Sequence, residues 1–158
     1  MSKSEPTRLH RIGWDTPEGL TEKLIRSVVE QFYAEARHDP VIGPVFNRVI
    51  APEAWPHHLD VITDFWSSML LGTGRYGGRP MPKHMAIPEL SDHHFQRWLT
   101  LFRQTAEKLC PPEIAQLFTE RSERIGNSFR MNIAMRRGED ITHMAPLERE
   151  SLPWTPED

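Results

Sequence analysis

Between residues 24 and 36 the apolar side chains fall at Leu24, Ile25, Val28, Val29, Phe32, Tyr33 and Ala36. Steps of three and four residues place all seven on one stripe, so the spacing predicts an amphipathic helix of roughly five turns. Asp15-Thr16-Pro17-Glu18 supplies its start, with a capping side chain, proline in the first turn and a carboxylate near the positive end of the dipole; Asp39-Pro40 stops it. Val41 to Ile50 reads as a short second helix, or a turn of one, presenting Ile42, Val45, Phe46 and Val49. Pro52 opens a third whose apolar side carries Trp55, His58 or Leu59, Ile62, Phe65, Trp66, Met69 and Leu70. Residues 72–80 form a glycine-rich loop with neither period, and a helical turn from Met81 to Ala86 ends before Pro88. Ser91 and Asp92 cap a long helix with Phe95, Trp98, Leu99, Phe102, Ala106 and Leu109 inward. Pro111-Pro112-Glu113 begins the last helix, with Ile114, Leu117, Phe118, Ile125, Phe129 and Ile133 inward and Gly138 closing it. No run alternates as a strand would. The chain reads as all-α, with four substantial helices, two short ones and no internal repeat. Residues 1–15 are expected to be a flexible arm, 16–137 the folded domain and 138–158 a loose tail.

Composition narrows the function classes. A chain of 158 residues is one domain, large enough to bury a core without staples. The net charge of −3 gives no general basic field for gripping phosphate backbones, which argues against nucleic acid. One cysteine, Cys110, excludes an internal disulfide framework and any CxxC site. No apolar run approaches the ~20 residues that span a bilayer. The first residues lack the apolar stretch of a secretory signal, so the expected compartment is the cytoplasm, without membrane attachment. The content of 8 His, 5 Trp, 7 Phe and 7 Met against 2 Tyr suits a pocket with polarisable walls.

The histidines are the starting point, because no paired-acid, nucleophile or phosphate-loop constellation appears. The 72–80 loop lacks GxxxxGK[ST] spacing and follows no strand, so it is not a P-loop. Asp92-His93-His94 resembles a phosphoesterase signature but falls in a capping turn, and reads as a helix start. His57-His58 and His93-His94 lack the i, i+3 or i, i+4 partners of helical metal sites, since adjacent helical residues diverge by about 100°. His84 stands apart, in a short segment between the glycine loop and the helix that bears Trp98.

Phe32-Tyr33, the Gly43-Pro44-Val45-Phe46 corner, Trp55-Pro56-His57-His58 and the run from Ile62 to Leu71 form an ordered set. Gly74 to Met81, Lys83-His84 and the run from His94 to Phe102 continue it. Over about residues 20–135 this set resembles the truncated haemoglobins, and most closely their third group. The glycine pairs that mark other groups after the first and third helices are absent, and the two long tails depart from the family core.

The resemblance implies a 2-over-2 helical sandwich enclosing haem b, with His84 as the proximal ligand of the iron. It implies that Tyr33, His58 and Trp98 stand on the distal side, with Phe46 against the haem face and Ile62, Phe65 and Trp66 completing the wall. Tyr76, Arg75, Arg79 and Lys83 would lie at the haem edge; the three cations read equally well as solvated surface charges. Such a protein binds O₂, NO, CO or peroxide at an open iron position. Two distal donors would make O₂ release slow, which suits NO or peroxide detoxification better than carriage. Turnover would need a separate reductase or small reductant, since no reductase domain is encoded here. A sensor or store that binds without turnover is the alternative.

Overall fold

The computed structural model describes residues 17–76 and 90–152 of the chain. The first helix, α1, runs from Glu22 to Ala36, beginning later than the Pro17 start the sequence suggests. Leu20 N–H closes a turn onto the Pro17 carbonyl, and Gly19 takes φ +95°, which no helix can pass through. Thr21 is the working cap, its Oγ1 accepting from Leu24 N–H at 3.1 Å. The predicted inner stripe is buried from Ile25 to Ala36.

A turn through Asp39 leads into the seven-residue α2, Gly43–Val49. Ile42 and Val45 are buried, but Val49 is half exposed where it was expected inside, because so short a helix carries its last turn past the core. Pro52–Ala54 is a single 3₁₀ turn that continues directly into α3, Trp55–Leu71, ended by Gly72. The long helices α4, Asp92–Leu109, and α5, Pro112–Arg136, complete the bundle. Leu109, also expected inside, is partly exposed at the last residue of α4. The expected helical turn at 81–86 lies outside the described residues.

Helix α1 packs against both α3 and α4, and α4 packs against α5. Their shared core is aromatic. Trp66 stacks on Phe102 with centroids 5.1 Å apart and planes 13° from parallel, and touches Phe118 at 5.4 Å. A second cluster joins Val45, Leu90, Phe95, Phe129 and Ile133, with Leu147 packed against it.

That last contact shows what the chain does after α5. Residues 139–152 carry no helix, yet they lie as a strap across α4 and α5. Gln96 donates to the Glu148 carbonyl, Arg103 to that of Glu150 and Arg130 to that of Ala145. Leu147 N–H donates to Asn127 Oδ1, and Arg149 makes a two-pronged ion pair with Glu123. The polar composition that reads as a loose tail therefore serves, through residue 152, to pair with side chains of the bundle. No helix among the described residues is long and apolar enough to cross a membrane.

Candidate functional site

Tyr33 lies near the C-terminal end of α1 and is the centre of an aromatic cluster built from three elements. Its ring meets Phe46 of α2 at 5.5 Å and, from α3, Trp55 at 5.6 Å and His58 at 5.8 Å. Phe46 and His58 approach it edge to face, the favoured geometry for rings of this kind. Burial pushes the Tyr33 phenol well above the ordinary tyrosine range, so it is a proton donor at every physiological pH. Of the adjacent pair on α3, His57 is exposed, and His58 is the half-buried one that joins the cluster.

The corner holding Phe46 is itself fixed. Asp39 Oδ2 accepts from the backbone N–H of Val41 at 2.9 Å and of Ile42 at 3.0 Å. Its Oδ1 faces Arg97 of α4 across 4.0 Å, with the two side chains 1% and 12% exposed. The residue after Arg97 is Trp98, whose half-buried indole packs against Phe32 at 6.4 Å and Phe102 at 6.3 Å. On its α5 side Trp98 meets Gly126, where even a β-carbon would stand 3.3 Å from Trp98 Cζ3 and 3.2 Å from Leu99 Cδ1. Any side chain at 126 would require Trp98 or Leu99 to give by a few tenths of an ångström. Trp98 is therefore held between α1 and α5, one aromatic ring away from Tyr33 through Phe32.

The other expected residues fall in three places. Ile62 and Phe65 are half buried on α3, and Tyr76 stands edge-on to Phe65 at 5.3 Å, its backbone N–H donating to Ser68 Oγ. Desolvation raises the Tyr76 phenol as well. Trp66 is 4% exposed and points into the stacked core with Phe102 and Phe118. Arg75 pairs with Glu22 and Asp64, so among the described residues its charge is met by carboxylates. His84, Arg79 and Lys83 lie outside the described residues. Among those described, no group of three or more His, Cys, Asp or Glu side chains converges as a metal-binding cluster.

Trp55 is the neighbour that reasoning from sequence passed over. It is 3% exposed, packs on Tyr33, Phe46 and His58, and carries the Arg37 guanidinium over its ring at 4.5 Å. Its Nε1–H is buried with no hydrogen-bond partner among the described residues. A buried donor left unsatisfied costs about 1–3 kcal/mol. The i, i+3 offset from His58 was the available signal, since it puts both rings over one helical face.

No protein-family model matches the chain. It is 33% identical over 114 residues to a group 3 truncated haemoglobin of Campylobacter jejuni, spanning 71% of this chain and 90% of that protein. Its fold is similar to the crystal structure of the group III truncated haemoglobin from Campylobacter jejuni, with a TM-score of 0.70 and 32% identity over 75% of this chain and 94% of that one. With that identity along nearly the whole relative and an all-helical fold to match, the chain belongs to the group III truncated haemoglobins, and membership implies a haem cofactor and the binding of diatomic ligands.

Proposed function

We propose that this haemoglobin turns over nitric oxide or peroxide, with His84 as the residue that would hold its haem iron and Tyr33, His58 and Trp98 on the ligand side. The observation that carries this reading is the Tyr33 cluster: a buried, neutral phenol and an imidazole set into an otherwise aromatic wall. The wall fits a haem in its chemistry, since Phe46, Ile62 and Phe65 offer apolar surface to a flat macrocycle and the polar tips are donors. Haem b, when bound, supplies the iron at which O₂, NO, CO or peroxide is held and oxidised or reduced.

The protein's share is positioning. Tyr33 O–H and Trp98 Nε1–H each offer a proton to a ligand atom that carries negative charge. A hydrogen bond to such an acceptor contributes about 1.5–3 kcal/mol, so two of them would slow release by roughly 10²–10⁴-fold. Slow release suits a site where the ligand is consumed in place. His58, half buried between Tyr33 and Trp55, borders that space from α3. Electrons come from a separate reductase or small reductant.

The test is absorption spectroscopy followed by turnover. The purified protein is expected to show a Soret band that moves on reduction and again with CO, and His84→Ala is expected to lose it. The oxygenated protein should then consume NO repeatedly when a reductant is supplied. Tight ligand binding without turnover would instead make it a sensor or store.

A further inference from the structure

We infer that Trp55 Nε1–H is a third donor of the ligand pocket, holding a small oxygen acceptor between Tyr33, Phe46 and His58. The inference rests on the reading of Tyr33 and His58 as the ligand-side wall. Buried indole N–H groups nearly always have a partner. This one has none among the described residues, although the ring is 3% exposed and sits at the first residue of α3.

The neighbours leave few ways to supply a partner from among the described residues. Phe46, 6.2 Å away, offers no acceptor. Arg37, over the ring at 4.5 Å, has only donors, and it fixes the indole plane by covering one face. Tyr33 and His58, at 5.6 and 5.3 Å between centroids, are the polar residues beside it, and both belong to the proposed ligand wall. A donor that is rigid, desolvated and placed among them suits an acceptor small enough to enter the same cluster. A water molecule or the outer atom of bound O₂ has that chemistry.

Trp55→Phe keeps an aromatic ring under Arg37 and removes only the N–H with its fused ring. The haem-loaded variant is compared with the parent for O₂ release and CO release, CO being the weaker acceptor. The CO form of the parent is examined by nuclear Overhauser spectroscopy for contact between the Trp55 indole proton, identified by its loss in the variant, and a long-lived water. If the acceptor is the ligand atom, O₂ release accelerates about ten- to a hundredfold, the span of one hydrogen bond to an acceptor that carries negative charge, with CO release unchanged. If it is water, the release ratio stays put and the water contact appears. An unchanged ratio together with no water contact overturns the inference. Tyr33→Phe, measured alongside, separates the two levels: if it too leaves O₂ release unchanged, the ligand-side reading itself falls.

Discussion

Asp39 does two jobs with two oxygens, and substitution can take them apart. Oδ2 accepts from Val41 and Ile42 N–H and so caps the turn that leads into α2, while Oδ1 is the negative partner of Arg97 on α4. Asp39→Ala removes both. Loss of the cap alone costs about 1–2 kcal/mol. Loss of the carboxylate removes one of the contacts of an Arg97 side chain that is only 12% exposed, and breaking a buried pair from one side costs about 3–5 kcal/mol. The pair here is 4.0 Å apart and makes no hydrogen bond at that distance, which argues for the lower end of that range. We therefore expect a total of about 4 kcal/mol, a large share of the 5–15 kcal/mol that holds a domain of this kind together. At roughly 2–4 °C per kcal/mol, the thermal midpoint should fall by on the order of 10 °C. Asp39→Asn keeps a carbonyl oxygen for the two N–H groups and loses the charge, so it should cost about 3 kcal/mol, the pair's share of that total. Urea and thermal unfolding followed by circular dichroism would measure both. An alanine variant within 1 kcal/mol of the parent would refute the reasoning outright, and equal losses for the two variants would show that the cap contributes nothing.

Three further outcomes are expected. Trp66→Ala should cost about 3–5 kcal/mol in urea unfolding, because it empties a site stacked on Phe102 and closed by Phe118; a loss below 1 kcal/mol would place Trp66 outside the core. Gly126→Val should destabilise by about 1–3 kcal/mol and alter the indole fluorescence, since its branched side chain must displace Trp98 and Leu99; a native fluorescence spectrum would contradict the close approach. His94 Nδ1 accepts from Ser91 N–H at 3.3 Å and lies 2.9 Å from Ser91 Oγ, and desolvation, with His93 beside it, holds its pKa below the usual histidine value. A histidine depressed on folding contributes stability that is present above its unfolded pKa near 6.5 and is lost as pH falls through the folded value. The protection of the Ser91 amide, its exchange measured against the intrinsic rate at each pH, should therefore weaken as pH falls below the unfolded value, and His94→Gln should remove that dependence.

Much of the helical frame was legible because burial imposes a period. Ile25, Val28, Val29, Phe32 and Ala36 lie inside as their spacing requires, and so do Phe95, Phe102 and Phe118 on the longer helices. Periodicity weakens at helix ends, which is where Val49 and Leu109 depart from it and where Gly19 moves the start of α1. Contacts between residues distant in sequence leave no such trace. Asp39 reads along the chain as a helix stop beside proline, and nothing local announces Arg97, 58 positions later. Arg75 reads as an available cation because Glu22 lies 53 residues away. Trp55 reads along the chain as one more residue of an apolar stripe, since a buried tryptophan there is ordinary until its N–H is found without an acceptor. The clustering of Tyr33, Phe46 and His58 depends on three elements meeting, which only the fold supplies.

The strap over α4 and α5 has a bearing on the order in which the molecule is made. Its bonds from Gln96 to Glu148 and from Arg103 to Glu150 join residues 52 and 47 positions apart, and the strap leaves the ribosome after the helices that it grips. The hairpin of α4 and α5 must exist before there is anything for residues 145–150 to grip. Docking of the strap is then a late event that adds nothing to the folding nucleus. Interactions of that kind slow unfolding while leaving the folding rate alone. Shortening the chain after residue 138 should leave a protein that folds as fast as the parent and comes apart sooner.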